Sequence, residues 1–214
     1  MASSLGKISP YSASFTGAAM LFSEMNVAVK MLLENDSPET IKMLKTDANY
    51  IQIKAAKSRE RVTAEFVRRY RAVPKSFWER YITLGESEQR LALLYVILKT
   101  YQILFEFQIN LVIPKYNSPD RVLTKNDVNM ALNEIASKDE FVDSWSAETR
   151  DRASSQYLTM LRQGGLINDA TKELQEPNLP DNAFVYYISI GEVWFLQACL
   201  LPGYKIEQLK QLAV

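Results

Sequence analysis

The sequence contains no histidine and only one cysteine, Cys199. Without histidine the chain cannot form a Ser-His-Asp or Cys-His catalytic group or a histidine-based metal site, and one thiolate cannot build a zinc site. A single cysteine also excludes an intrachain disulfide, as is usual in reducing compartments. Because Cys199 lies in the apolar run VWFLQACLL, we expect a buried, inert thiol.

The usual signatures of an enzyme are scarce as well. Gly164-Gly165 continues into neither GxGxxG nor GxxxxGK, so the sequence has no phosphate-cradling glycine loop. Carboxylate pairs such as Glu106 with Glu192 show no spacing that implies a shared site. We therefore expect a protein that is not an enzyme, with no catalytic residues, metal or cofactor.

One apolar run, Leu91 to Ile113, is long enough to span a bilayer. Four polar residues interrupt it at helical spacing, on one stripe: Lys99, Gln102, Glu106 and Asn110. A lysine in mid-membrane costs about 3 kcal/mol on insertion scales. We therefore predict a core helix over residues 86–113 and no membrane span. Residues 1–20 lack the charged start and apolar region of a signal peptide, so we expect a cytoplasmic protein.

Positive charge is concentrated in one segment, although the formal net charge is zero. Residues 54–80 hold nine basic side chains against three acidic ones, Glu60, Glu65 and Glu79. The basic residues are Lys54, Lys57, Arg59, Arg61, Arg68, Arg69, Arg71, Lys75 and Arg80. A chain without net charge has no uniformly basic surface, so this segment must act locally.

A helix is predicted over residues 54–73, and it has two unlike faces. At 100° per residue one arc of about 100° collects Lys54, Lys57, Arg61, Arg68 and Arg71. Val62, Thr63, Phe66, Val67 and Tyr70 lie on the opposite side. One interpretation is a solvated face with Glu60 and Glu65 as ion-pair partners. The other is a phosphate-binding surface, favoured by the prevalence of arginine, whose guanidinium matches phosphate oxygens.

The chain as a whole reads as mainly α-helical, with helix N-caps predicted at Ser37, Thr124 and Ser146. We predict an N-terminal helical subdomain over residues 1–113, a linker over 114–123 and a C-terminal helical subdomain over 124–214. The short pieces LIN and KELQEP, which follow Gly165, are candidates for a small hairpin.

The C-terminal stretch SAETRDRASSQYLTMLRQGGLI has the layout of a winged-helix recognition helix. A shorter helix precedes it, and small polar and arginine side chains lie near its start. The candidate contacts are Thr149, Arg150, Arg152 and Ser155. A capped amphipathic helix on the surface of the fold is the competing interpretation.

Several blocks together resemble the BrxA family, the small component of BREX bacteriophage-exclusion systems. They are YSASFTGAAMLFSE, KSRERVTAEFVRRY, LGESEQRLALLYVILKTYQILFEFQINLVIPKY and SWSAETRDRASSQYLTMLRQGGLI, in this order from about residue 11 to 167. The resemblance implies a compact helical protein, partly similar to the NusB antitermination-factor fold, that binds double-stranded DNA beside other BREX components. By position, Lys57, Arg61, Arg68 and Arg69 fall in the basic block of the family, and Arg150 and Arg152 fall in its C-terminal block.

Two functions are therefore open. The first is a non-enzymatic double-stranded DNA-binding accessory protein of a BREX anti-phage system. Its candidate contacts are Lys54, Lys57, Arg61, Arg68, Arg69, Arg71, Thr149, Arg150, Arg152 and Ser155. The second is a scaffold within the BREX complex whose basic helix docks an acidic partner. The sequence does not fix the oligomeric state, and we expect a monomer.

Overall fold

A computed structural model describes residues 8–212, and these are mainly helical, as predicted. The predicted outer limits of the two subdomains, residues 1 and 214, lie outside the described part, as does part of the stretch tested for a signal peptide. The helices are α1 (Phe22–Glu34), α2 (Pro38–Thr46), α3 (Ala48–Ile51), α4 (Ala56–Arg71), α5 (Lys75–Tyr81), α6 (Glu86–Thr100), α7 (Gln102–Phe107), α8 (Ile113–Tyr116), α9 (Lys125–Ala136), α10 (Glu140–Asp143), α11 (Ala147–Gln163), α12 (Asn182–Ser189), α13 (Trp194–Ala198) and α14 (Gly203–Leu212). A 3₁₀ turn, Ser14–Gly17, precedes α1, and a π-helical turn, Gln108–Val112, joins α7 to α8.

The predicted caps form because short polar side chains satisfy the free N–H groups of a first helical turn. The Ser37 hydroxyl accepts from the Thr40 amide at 3.2 Å, and that of Ser146 accepts from the Thr149 amide at 3.2 Å. At α9 the cap is reciprocal. The Thr124 amide donates to the Asp127 carboxylate at 2.8 Å, and the Asp127 amide donates back to the Thr124 hydroxyl at 3.2 Å.

The prediction of one core helix over residues 86–113 is wrong. The helix ends at Thr100, Tyr101 is extended, and the next helical stretch leaves at an angle of 110°. Residues 91–98 are all buried, so α6 has apolar contacts on every side. The apolar residues that follow α6 can therefore pack against the core without extending the same helix. Bending at Tyr101 lets both halves bury their apolar surface against the same core.

Helical structure continues through Pro114 to Tyr116, into the first residues of the segment predicted as a linker, and the division into two subdomains stays a prediction. The π-helical turn ends at Val112, two residues before this proline, which has no N–H to donate to the preceding turn. Within the described part of the chain, no single helix is both long and apolar enough to cross a membrane, and only the bent pair α6 with 102–116 meets that criterion.

The core surrounds α6, which packs against α4 and α11. An aromatic cluster on one side of α6 holds the last helices in place. The Tyr95 ring contacts Phe77, Tyr187 and Phe195, with centroids 5.4, 5.1 and 5.1 Å away. Helix α6 therefore contacts α4 and α11, and through Tyr95 it also contacts α5, α12 and α13.

The predicted hairpin is present in its smallest form, one antiparallel bridge between Ile167 and Leu174. A second antiparallel bridge joins Val122 to Glu173. Gly165 has a positive φ of 82°, which favours glycine and ends α11 just before this hairpin. Along the chain, the bridged residue Val122 comes first, followed by α9, α10, α11 and the hairpin.

Candidate functional site

Helix α4 has the two faces predicted from its sequence. Val62, Phe66 and Tyr70 are buried against the core, and the helix packs on α1, α2 and α6. The helix predicted over residues 54–73 runs from Ala56 to Arg71, so Lys54 lies two residues before its start. The five basic residues of the predicted arc are exposed, and we call them the α4 ridge: Lys54, Lys57, Arg61, Arg68 and Arg71. From Lys57 to Arg71 the ridge is about 21 Å long at 1.5 Å per residue.

The members of the α4 ridge differ in their partners. Among residues 8–212 no carboxylate lies within 4.0 Å of the side-chain nitrogens of Lys54, Lys57 or Arg61. Arg71, by contrast, pairs with Asp36 at 3.2 Å, and Arg68 lies 3.9 Å from Glu65. The part of the ridge nearer the N-terminus of α4 therefore has the free positive charge.

Arg61 is positioned by the N-terminal 3₁₀ turn. The Arg61 stem lies over Gly17, where a Cβ would come within ordinary van der Waals contact of Arg61 Cδ, at 3.4 Å. The adjacent Ser14 hydroxyl accepts from Arg68 Nη1 at 3.3 Å. Both arginines are thus held against the same segment, which limits the freedom that their side chains would lose on binding a ligand.

Arg69 is a correction to the sequence analysis, which grouped it with the basic surface. It is fully buried, on the side of α4 that faces the core. Its Nε donates to the Tyr101 hydroxyl at 3.1 Å, and its Nη1 donates to the Met20 carbonyl at 3.4 Å. Its Nη2 has no hydrogen-bond partner among the described residues. Arg69 therefore joins α4 to the bend between α6 and α7 and offers nothing to an external ligand.

Glu65 completes this internal network. Its carboxylate accepts from the Tyr101 hydroxyl at 2.5 Å and from the Ser14 hydroxyl at 2.9 Å. Burial is the main cause that raises the pKa of Tyr101 to about 12; Arg69 opposes the shift and Glu65 adds to it. Sequence reasoning missed the network, because its members are up to 87 positions apart and Glu65 looks like a surface residue at its spacing.

Arg59 is a second basic residue of the segment that lies inside the fold. It is buried, and its guanidinium donates to four carbonyls, those of Lys45, Thr46, Ile53 and Lys54. Two of these carbonyls belong to the last turn of α2, where a positive charge is favourable. The sequence count of basic residues therefore overstates the charge that a partner meets.

The structure separates the four candidate residues of α11. The Arg150 guanidinium donates to the Asp143 carbonyl at 2.7 Å, to its carboxylate at 3.0 Å and to Asn133 Oδ1 at 3.1 Å. It also donates to the carbonyls of Val142 and Trp145, so Arg150 fastens the α10–α11 turn.

The other three candidates are arranged differently. Thr149 and Ser155 are half-buried, and the Thr149 hydroxyl lies 3.0 Å from that of Ser146. Arg152 is exposed and pairs with Glu148 on the same helix at 2.7 Å. Arg152 is therefore the candidate of α11 that is most open to an external partner.

Comparison with known proteins agrees with the resemblance carried by the sequence blocks. The sequence model of the BrxA family matches residues 9–189. The protein named "BREX protein BrxA" from Bacillus cereus (strain H3081.97) is 22% identical over 185 residues, which is 85% of this chain and 92% of that protein. A crystal structure of an uncharacterized protein from Magnetospirillum magneticum superposes with a TM-score of 0.75 over 89% of this chain and 98% of the other. At 17% identity this last match shows a shared fold alone. The chain belongs to the BrxA family.

Proposed function

We propose that this protein is a non-enzymatic accessory component of BREX anti-phage defence that binds double-stranded DNA through the α4 ridge. Membership of the BrxA family implies the defence role and suggests other BREX components as partners. The observation that carries the DNA-binding proposal is the exposed row of five cations, four on the outer face of α4 and Lys54 just before its start. Three of the five have no carboxylate neighbour in the described chain.

The size of the ridge limits what it can do to DNA. Its length of about 21 Å corresponds to roughly six base pairs at 3.4 Å per step. The four cations on this length, together with Lys54 just before the helix, can neutralise at most about five phosphates. The ridge should therefore contribute a slope of log K against log salt no steeper than about −4.5. Phosphate contacts orient a protein without reading sequence, and we therefore expect salt-sensitive binding with weak sequence preference.

The test is binding to a labelled duplex in fluorescence anisotropy across a salt series, with Lys57→Gln/Arg61→Gln as the variant. Glutamine keeps part of the Arg61 stem over Gly17 and removes the charge. Two lost phosphate contacts should reduce the salt slope by about 1.8. The control is Lys210→Gln on α14, which removes one charge at a residue that pairs with Glu207 and does not belong to the ridge. An unchanged slope in a folded double variant rules out the ridge as the DNA surface.

The C-terminal half supports a second DNA contact. We propose that residues 122–175 form a minimal winged helix, with α11 as its recognition helix. The support is the chain order, together with two bridges in which the Leu174 segment lies between those of Val122 and Ile167. Thr149, Arg152 and Ser155 are the proposed contacts, because Arg150 is occupied within the fold. If Arg152→Gln binds every duplex as the native chain does, α11 is not at the DNA. The NusB-like arrangement of part of the chain stays a prediction.

The competing function is a scaffold whose α4 ridge docks an acidic protein. Membership of the BrxA family suggests other BREX components as partners, and the ridge cations without a carboxylate neighbour in the described chain suit acidic side chains as well as phosphates. It predicts duplex binding near background at low salt, and a complex with another BREX component that Lys57→Gln/Arg61→Gln disrupts. A pulldown at moderate salt, run beside the anisotropy series, separates the two functions.

A further inference from the structure

A groove of opposite charge lies between the N-terminal segment and α9. A cavity of about 390 Å³ is lined by Tyr11, by the π-helical turn and by α9. A second cavity of about 570 Å³ continues from it toward α10, and the two share Tyr11 and Lys138. We call the two cavities together the α9 groove.

The charge of the α9 groove is strongly negative. Five carboxylates line it against one cation, Lys138, in the described chain: Glu106, Asp127, Glu134, Asp139 and Glu140. Within residues 8–212 no basic nitrogen lies within 4.0 Å of Glu106, Glu134 or Glu140. Among the described residues, the positive α4 ridge is therefore balanced by a negative surface whose carboxylates at Glu106, Glu134 and Glu140 have no paired cation.

One of these carboxylates also shapes the groove. Glu106 accepts from the Tyr11 hydroxyl at 3.0 Å and from Gln102 Nε2 at 2.9 Å. Burial, followed by the hydrogen bond to Glu106, raises the pKa of Tyr11 to about 12. The bond fixes the N-terminal segment as one wall, so the groove is formed before any partner arrives.

Apolar side chains complete the groove. Phe107, Leu111 and Ile135 line it, and two large apolar residues stay open to solvent, Met130 at 61% and Phe141 at 48%. Phe141 is held edge-on against Trp145, with ring centroids 6.1 Å apart, so it is not a loose surface residue. Exposed apolar groups beside a charged rim are typical of protein interaction sites.

We propose that the α9 groove binds a cationic amphipathic segment of a protein partner. Lysine or arginine side chains of that segment pair with Glu106, Glu134 and Glu140, and an apolar side chain packs on Met130 and Phe141. Nucleic acid and anionic lipid do not fit, because the carboxylates repel phosphate. The inference is independent of DNA binding by the α4 ridge, and it gives the protein two surfaces that select opposite charges.

The first test uses a fluorescein-labelled synthetic Lys/Leu amphipathic peptide as the probe, with the full chain titrated in anisotropy at low salt. A Glu/Leu peptide and a Lys/Ser peptide of the same length are the comparisons. The native chain is expected to bind the Lys/Leu peptide and to bind both comparisons at least about tenfold more weakly, since charge pairing and apolar burial are both required. Absence of Lys/Leu binding, or equal binding of the Lys/Ser peptide, overturns the proposal.

The second test places the probe in the groove. Glu134→Lys/Glu140→Lys reverses two exposed carboxylates whose side chains have no described hydrogen bond. Glu39→Lys/Glu173→Lys is the matched control, with the same change of charge at exposed sites outside the groove. Peptide affinity should fall about tenfold in the first variant and stay within about twofold in the control. Equal losses in both variants mean that only net charge matters, and the groove proposal then fails.

An environment-sensitive fluorescent label placed in the groove tests where the peptide binds. Met130→Cys offers one accessible thiol for an environment-sensitive label, since Cys199 is fully buried and burial raises its pKa well above the ordinary value. The probe should change the emission of this label, and it should leave unchanged a label placed by Glu173→Cys. The reverse pattern contradicts the assignment.

An alternative occupant of the α9 groove is the α4 ridge of a second copy of this chain. Sedimentation over a range of protein concentrations decides this point. A constant monomer mass supports a different partner. Oligomers that dissociate in Glu134→Lys/Glu140→Lys overturn the proposal in favour of self-association. If the partner is a different protein, duplex binding by the groove variant should match that of the charge-matched control Glu39→Lys/Glu173→Lys, which keeps this test distinct from that of the ridge.

Discussion

The hydroxyl of Tyr101 links two buried charges, and its removal by Tyr101→Phe tests how the ridge helix is held. It donates to Glu65 at 2.5 Å and accepts from Arg69 Nε at 3.1 Å, with all three side chains buried. Phenylalanine preserves the ring and its contact with Phe15, whose centroid is 5.6 Å away. The substitution therefore isolates the hydroxyl.

The expected cost follows from these contacts. A hydrogen bond to a charged group contributes about 1.5–3 kcal/mol, and a buried donor left without a partner costs about 1–3 kcal/mol. Tyr101→Phe removes both bonds and leaves Arg69 Nε without a partner, beside an Nη2 that already has none in the described chain. Glu65 keeps the Ser14 hydroxyl at 2.9 Å. The free energy of unfolding should therefore fall by about 3 kcal/mol, at the low end of the range for breaking a buried ion pair.

Urea titration followed by circular dichroism measures this loss. With an m-value of about 2 kcal/mol/M, the midpoint should fall by about 1.5 M at unchanged m. The control is Tyr204→Phe on α14, where the side chain is 71% exposed and the change should stay within about 0.5 kcal/mol. A loss for Tyr101→Phe no larger than that of the control would refute the role of the network.

Three further perturbations test other parts of the fold. In Gly164→Ala the new Cβ would lie 2.7 Å from a core side-chain carbon, so we expect a loss of about 1–3 kcal/mol in urea titration, whereas Gly203→Ala, with no atom within 4 Å, should be nearly neutral. Arg150→Met strands the carbonyls of the α10–α11 turn and should lower the free energy of unfolding by about 2 kcal/mol, and equal stability of Arg150→Met and Arg152→Met would contradict that role. The folded-state pKa of Tyr101, about 12, lies above its ordinary value of 10.0, so its contribution is complete below pH 10 and is lost as pH rises toward 12. Alkaline titration of unfolding should therefore show a decline above pH 10 that is smaller in Tyr101→Phe, and identical curves would contradict it.

Local patterns in the sequence predicted the outer face of α4 well. A helical period of 3.6 residues separates Lys57 and Arg61 from Val62 and Phe66, and solvent and core then take opposite faces. The caps at Thr124 and Ser146 were predictable for the same reason, since a cap depends on residues within one turn. The helical class of the chain followed from the sum of such local signals.

The features that depend on distant residues were not predictable. Arg69 lies near the edge of the apolar arc of α4, and its burial is satisfied by the hydroxyl of Tyr101, 32 positions away, and the carbonyl of Met20, 49 positions away. The bend at Tyr101 has no local signal, because a run that is apolar on every side fits a straight helix and a broken one equally well. The α9 groove requires the bond between Tyr11 and Glu106, which are 95 positions apart.

The salt dependence of duplex binding tests the central claim most directly. Anisotropy of a labelled duplex should give a slope of log K against log salt no steeper than about −5.4 for the native chain, from the five ridge cations and Arg152. The slope should be reduced by about 1.8 in Lys57→Gln/Arg61→Gln and unchanged in Lys210→Gln. Binding to duplexes of different sequence should differ little, since the contacts are to phosphates. A native chain that does not bind duplex DNA at low salt, or a folded double variant with the native slope, would contradict the assignment of the α4 ridge as a DNA-binding surface.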